Sequence, residues 1–185
     1  AWRLGGGSAC YRCGGACRCR DSRQAVRGLG NAAPAMAREQ ILRSAEHQFK
    51  EGDVQHWWHP PAGKGVRTRF SDDLLWLPFV CAYYVAATGD TQILAEERPF
   101  LDGPLLQPDQ EDMYFTPAVS EERGTIYEHC LRAIGKGTTP GAHGLPRMGA
   151  GDWNDGMNRG GIEGRGEAGW VGWFNTDRLP GELGD

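Results

Sequence analysis

The chain has 185 residues, enough for one domain, and its 20 basic and 24 acidic residues give a formal net charge of −4. This balance argues against the strongly basic surface that nucleic acids or anionic membranes require. The longest apolar run, residues 74–87, is too short to span a bilayer and predicts a buried helix. No secretory signal is visible, so we expect a cytoplasmic location.

The first elements predicted along the chain are helices. Residues 1–31 have no clean period and are interpreted as irregular. Pro34 suits the first turn of a helix, and apolar residues then recur at helical spacing until Gly52 ends the pattern. Ser71 is the predicted N-cap of a second helix, which should end at Gly89.

The second half of the chain predicts two more helices and a long loop. A short helix is expected over residues 91–97, and Ser120 is predicted to open a further one. Residues 137–172 contain twelve glycines, which predicts a long functional loop. We see no run with the two-residue alternation of a strand, so the predicted fold class is all-α with long Gly-rich loops.

Polar and aromatic residues concentrate in or beside the predicted loops. Seven tryptophans in the chain favour a carbohydrate partner, because aromatic faces cover sugar C–H surfaces well. Acids and amides near them can bond to hydroxyls. Two of the three groups also have a plain structural interpretation. Asp72 and Asp73 can simply be acids at the start of a helix, and the group at 152–155 can be a surface turn. The groups are His56, Trp57, Trp58 and His59; Arg67, Arg69, Asp72 and Asp73; and Asp152, Trp153, Asn154 and Asp155.

Four cysteines near the N-terminus have the spacing C-x2-C-x3-C-x-C, which raises the question of a metal site. Structural zinc sites usually pair two Cys-x-x-Cys units across a longer loop, and a second unit is missing here. We therefore predict no metal and no cofactor, with a small metal-binding module as an alternative. The residues are Cys10, Cys13, Cys17 and Cys19.

Several stretches, in the same order, resemble glycoside hydrolase family 94, the inverting disaccharide and oligosaccharide phosphorylases. They are "EGDVQHWWHPPAGKGVRTRFSDDLLWLPFVCAYYVAATGD", "YEHC", "GAHGLPRMGAGDWNDGMN" and "GRGEAGWVGWF". The stretch from "HWWHPP" to "SDDLLWLP" is most similar to the phosphorylase-like module of cyclic β-1,2-glucan synthases. The resemblance implies that residues 32–174 are part of an (α/α)6 catalytic barrel, preceded by a degenerate segment, 1–31, and followed by a tail outside the family pattern, 175–185. It also implies that the chain is a fragment.

The resemblance also implies a mechanism. The last acid of the family's Trp-Asn-Asp triplet is the general acid, which is Asp155 here. It would protonate the glycosidic oxygen while inorganic phosphate, the co-substrate, attacks the anomeric carbon from the opposite face. A β-linked glucan would then give an α-sugar 1-phosphate. Asp152 and the phosphate would help Asp155 to hold its proton, and Trp153 would line the subsite of the transferred sugar.

Further substrate contacts are expected from Asn154, Asp72, Asp73 and His56. The family also has an Arg-Asp pair before its first helix, in which the Arg contacts sugar and phosphate. Arg20 aligns with that Arg, although the neighbouring aromatic positions of the family are cysteines in this chain.

The expected partners are a β-glucan oligosaccharide and phosphate, with no nucleic acid and no membrane contact from this segment. The family resemblance suggests a homodimer for the full-length protein. It also leaves open that the full-length protein is tethered to a membrane. The alternatives to a phosphorylase are a non-catalytic carbohydrate-binding remnant and, among enzymes, a conventional inverting hydrolase.

Overall fold

A computed structural model describes residues 32–151, 161 and 163–172, together with the strand pairing of residues 17–18. Three α-helices form the main scaffold: α1 (Pro34–Ala45), α2 (Ser71–Thr88) and α3 (Ile126–Gly137). A 3-10 helix, Thr91–Ala95, follows α2.

Two antiparallel sheets accompany the helices. The larger has the strand order β1-β2-β3-β5 and the smaller pairs β4 with β6. The strands are β1 (Cys17–Arg18), β2 (Gln55–His59), β3 (Lys64–Thr68), β4 (Glu97–Asp102), β5 (Asp112–Phe115) and β6 (Ala118–Thr125).

These sheets show that the predicted all-α fold class was wrong, and the described residues do not show part of an (α/α)6 barrel. The strands were missed because polar side chains occupy buried positions in β2 and β3. Gln55 and His56 are buried in β2, and Arg67 is buried in β3. Their hydrogen bonds make burial tolerable, and they erase the apolar-polar alternation on which strand prediction depends. Residues 60–63, two prolines, an alanine and a glycine, form the hairpin connection between β2 and β3.

The boundaries of two helices also differ from those predicted. Ser120 lies within β6, and α3 begins at Ile126 behind a capping box. The Thr125 hydroxyl accepts a bond from the Glu128 amide at 3.2 Å, and the Glu128 carboxylate accepts one from the Thr125 amide at 2.6 Å. The first helix ends at Ala45, before a turn and the chain reversal that leads to β2.

The three helices share the main hydrophobic core. Ile41 of α1, Leu75 of α2 and Ile126 of α3 are fully buried within it. The prediction of a buried second helix is confirmed, because 12 of the 18 residues of α2 are buried. Its end is also as expected, since Gly89 adopts the left-handed conformation at φ 72°. Within the described ranges, no helix combines the length and the apolar character needed to cross a membrane.

Candidate functional site

A cavity of about 370 Å³ opens where β3 runs into α2. Strand β3 supplies part of its wall, the first turn of α2 another part, and the end of α3 a third. Apolar contacts come from Leu74, Leu105 and Leu106. The charged lining residues are Asp53, Arg67, Arg69, Asp73, Lys136 and Arg147.

Arg67 lines this cavity, and only 1% of the residue is exposed. Its Nε lies 2.6 Å from Asp53 Oδ2 and its Nη2 lies 2.8 Å from Asp53 Oδ1, a two-point pairing. Nη2 also donates to Glu51 at 2.8 Å, and Nη1 donates to the Pro104 carbonyl at 2.9 Å. The guanidinium stacks 3.9 Å above the Phe49 ring. This arrangement satisfies a buried cation and ties three chain segments together.

Opposing effects set the ionisation of this pair. Burial raises the pKa of Asp53, but the Arg67 guanidinium and the Lys136 ammonium outweigh it and hold the pKa below its usual value. Burial lowers the pKa of Arg67, and its bonds to Asp53 and Glu51 outweigh that effect and raise it. Both groups therefore stay charged near neutral pH and form an ion pair.

The two adjacent acids at the start of α2 have different surroundings. Asp73 lines the cavity, and its Oδ2 lies 2.6 Å from Nδ1 of His56, which is itself buried. Asp72 is not among the lining residues, and its Oδ2 accepts a bond from the Trp76 indole at 3.1 Å. Of the three predicted contact residues in this region, only Asp73 lines the cavity. His56 lies behind it and is bonded to it, and Asp72 is bonded within α2.

The start of the glycine-rich loop is held against the junction of β3 and α2. Gly149 and Gly151 both form bridges with Phe70. The Ser71 amide donates to the Gly151 carbonyl at 3.0 Å, and the Ser71 hydroxyl reaches the same oxygen at 3.3 Å. The hydroxyl expected to cap α2 is therefore used to hold the loop, and Phe70 occupies the N-cap position without a side-chain cap.

The described residues on either side of the segment 152–160 lie close together at this junction. A side chain on Gly149 would collide with the Arg69 carbonyl oxygen, and one on Gly161 would collide with the Gly149 carbonyl oxygen. Gly149 also has a φ of 65°, which glycine adopts without strain. Gly149 is itself a lining residue, so Gly161 also lies close to the cavity.

The remaining predicted site residues lie outside the described residues, so their roles stay predictions. They are Asp152, Trp153, Asn154, Asp155 and Arg20. Residues 175–185 and most of 1–31 also lie outside, including Cys10, Cys13 and Cys19. Among the residues that the structure does describe, no group of three or more metal-binding side chains is present.

Sequence reasoning missed the role of Arg69 in shaping the cavity. Its guanidinium donates to the carbonyl oxygens of Leu106, Gln107 and Pro108 at 3.2, 2.5 and 3.3 Å. These bonds hold the proline-containing loop against the cavity wall. The sequence carries little signal for such a role, because the acceptors are backbone groups that every residue type offers.

Comparisons with known proteins agree on one family. Residues 6–180 match the family model described as the glycosyl hydrolase 94 superfamily, catalytic domain. The cyclic beta-(1,2)-glucan synthase NdvB of Rhizobium meliloti is 48% identical over 93% of this chain. From Paenibacillus borealis, solabiose phosphorylase is 30% identical over 82% of the chain, and 3-O-beta-D-glucopyranosyl-beta-D-glucuronide phosphorylase is 31% identical over 83%.

The chain spans only a small part of these relatives. It covers 6% of the synthase and 17% and 18% of the two phosphorylases. The similarity therefore concerns one segment of each relative, and it includes the strand, helix and loop that meet at the cavity.

Proposed function

Because the chain belongs to the glycosyl hydrolase 94 superfamily, we propose that it forms part of the active centre of an inverting phosphorylase acting on β-linked glucans. The segment is glycoside phosphorylase-like, since two of its relatives are phosphorylases. The β-glucan substrate is proposed from the synthase, whose printed name specifies a β-1,2-linked glucan.

The observation that carries the proposal is the attachment of the glycine-rich loop to the cavity. The bonds between Ser71 and Gly151 hold the start of the segment that contains Asp155 beside the β3–α2 junction. Asp73 and His56 lie at the same junction. A catalytic acid needs a loop that is attached to the fold in this way, because an error of about 1 Å in the position of the acid can cost about 100-fold in rate.

In the proposed reaction, Asp155 donates a proton to the glycosidic oxygen. The bond from the anomeric carbon to that oxygen breaks as a phosphate oxygen attacks from the opposite face, which inverts the configuration. The products are an α-sugar 1-phosphate and the shortened glucan, and the proton carried in by hydrogen phosphate restores the acid. Because phosphate is already an anion, no second carboxylate is needed to activate a water molecule, as it would be in an inverting hydrolase.

The other residues are proposed to bind the sugar. Trp153 supplies a stacking face, and Asn154 and Asp152 bond to hydroxyls beside the acid. Asp73 presents a carboxylate to the cavity, and His56 orients it through the 2.6 Å bond. Arg20 is proposed to contact sugar and phosphate.

The test is an assay of the full-length protein on a β-1,2-linked glucan with and without inorganic phosphate, with products followed by phosphorus and proton magnetic resonance. The proposal predicts an α-sugar 1-phosphate that forms only with phosphate. Reducing sugar released equally well without phosphate would indicate a hydrolase. Binding of the glucan without turnover under either condition would favour the carbohydrate-binding remnant.

A further inference from the structure

A row of aromatic rings lies on one face of the larger sheet. Trp57 of β2 and Tyr114 of β5 both stand opposite Val66 of β3, so the three share a face. The strands that carry the two rings are separated by β3, roughly 10 Å in all. Their ring centroids are nevertheless only 5.3 Å apart, so the rings lean toward each other above Val66. His59 completes the row, at 5.2 Å from Trp57 and 6.5 Å from Tyr114.

This row faces solvent, whereas the other face of the sheet is packed. Tyr114 is 47% exposed, and Trp57 and His59 are half-buried. On the opposite face Trp58 is 3% exposed and stacks on His47 at a centroid distance of 3.7 Å. The adjacent tryptophans of β2 therefore serve different purposes, because one completes the packing while the other contributes to an accessible aromatic surface.

The charges around the row favour a neutral polar ligand. Lys64 places its ammonium 4.5 Å from the centre of the Tyr114 ring. Asp112, two residues before Tyr114, shares its face of β5 and is exposed. Among the described side chains on this face, this cation and this anion balance, and both can bond to hydroxyl groups. Three rings are also too small for the roughly 800 Å² that a stable protein interface needs on each partner.

The face of β3 that carries the row reaches the cavity at Thr68. Thr68 follows Val66 by two residues on the same face of β3, and it lines the cavity with Arg69 and Phe70. Two strand residues span only about 7 Å. We propose that Trp57, His59 and Tyr114 form a platform for the distal sugar units of a β-linked glucan whose end occupies the cavity. The class of ligand rests on the proposed function, whereas the platform rests on the ring geometry.

The test is calorimetric titration of the full-length protein with a β-1,2-linked glucose pentasaccharide and with the corresponding disaccharide. Tyr114→Ala should weaken pentasaccharide binding roughly tenfold, the equivalent of about 1.4 kcal/mol, and leave disaccharide binding unchanged. Trp57→Phe keeps a smaller ring in the half-buried position and should weaken the pentasaccharide about threefold. The matched control is Tyr127→Ala on α3, where the tyrosine is 37% exposed and outside the row; it should change neither affinity.

Pentasaccharide binding that stays unchanged in both row variants would overturn the platform. An equal loss for disaccharide and pentasaccharide would also overturn it, because the row would then not be a distal site. Phosphate-dependent turnover is measured on the same samples. A selective loss of pentasaccharide binding without any turnover would keep the platform and reject the phosphorylase, whereas turnover with unchanged binding would do the reverse.

Discussion

At the scale of single residues, the cavity depends on buried charged groups that pair with one another. Arg67 is the central example, because its guanidinium joins the turn at Asp53 to the loop at Gly103 and Pro104. A buried charge of this kind contributes little net stability while it is paired, but removing one partner leaves the other desolvated and uncompensated.

We therefore expect Arg67→Met to lower the free energy of unfolding by about 3–5 kcal/mol, because Asp53 would keep its burial and lose its main partner. The measurement is urea denaturation followed by tryptophan fluorescence. Arg43→Met is the control, since Arg43 pairs with Glu39 at 2.7 Å on the surface of α1. Its effect should stay below about 1 kcal/mol. Equal effects of the two variants would contradict the structural role given to Arg67.

His129 gives a second residue-scale prediction, concerning pH. It is fully buried, and burial lowers the pKa of its imidazole to about 4, although its bond to the Arg98 carbonyl acts in the opposite direction. In the unfolded chain the same group titrates near 6.5. Between these values the unfolded state binds more protons, so stability is complete above about pH 6.5 and is lost as the pH falls toward 4.

The loss attributable to His129 should be about 3 kcal/mol across this range. Urea denaturation at a series of pH values measures it, and His129→Gln should remove that part of the pH dependence. Both ring nitrogens face oxygen acceptors, Gln48 Oε1 at 2.6 Å and the Arg98 carbonyl at 3.1 Å. A histidine signal that titrates above 6.5 would show that these acceptors outweigh burial.

At the scale of elements, the junction of β3 and α2 organises the site. It holds the glycine-rich loop through Phe70 and Ser71, and it carries Asp73 into the cavity. The glycines of the loop are required at specific points, where the backbones approach too closely for a side chain.

Gly149→Ala should displace the loop and reduce turnover at least tenfold, because it combines a left-handed conformation with a collision against the Arg69 carbonyl. Gly135→Ala is the matched control. Gly135 lies in α3 with open space where a side chain would point, so alanine should stabilise the helix by about 1 kcal/mol and leave turnover unchanged. Steady-state kinetics and thermal unfolding compare the two. Normal turnover in Gly149→Ala would show that the anchoring does not position the catalytic acid.

The elements also show which parts of the fold a sequence can reveal. Helix α2 was predictable because its apolar run is long and Gly89 ends it. Strands β2 and β3 were not, because Gln55 and Arg67 are buried with partners 8 and 14 residues away, and no alternation of apolar and polar residues displays such pairing. Ser71 looks like a helix cap by residue type, and only the position of Gly151 shows what its hydroxyl contacts.

At the scale of the whole molecule, the order of several motifs predicted the family even though the predicted fold class was wrong. A family resemblance depends on residues that recur at particular places, such as the glycines and acids at 149–158, and does not require the intervening elements to be assigned correctly. The pairing of His56 with Asp73 was beyond prediction for a similar reason. The two residues were singled out separately, but their contact depends on the hairpin turning back toward α2.

The central claim is that Asp155 supplies the proton for phosphorolysis, and the most direct measurement is the rate of Asp155→Asn on two substrates. With a natural β-linked glucan, the variant should lose about 100- to 10,000-fold in kcat. With an aryl β-glucoside whose leaving group departs without a proton, the loss should nearly disappear. The exposed Asp109→Asn is the control and should behave as the unaltered protein on both. Equal losses of Asp155→Asn on both substrates, or no loss on the glucan, would contradict the account.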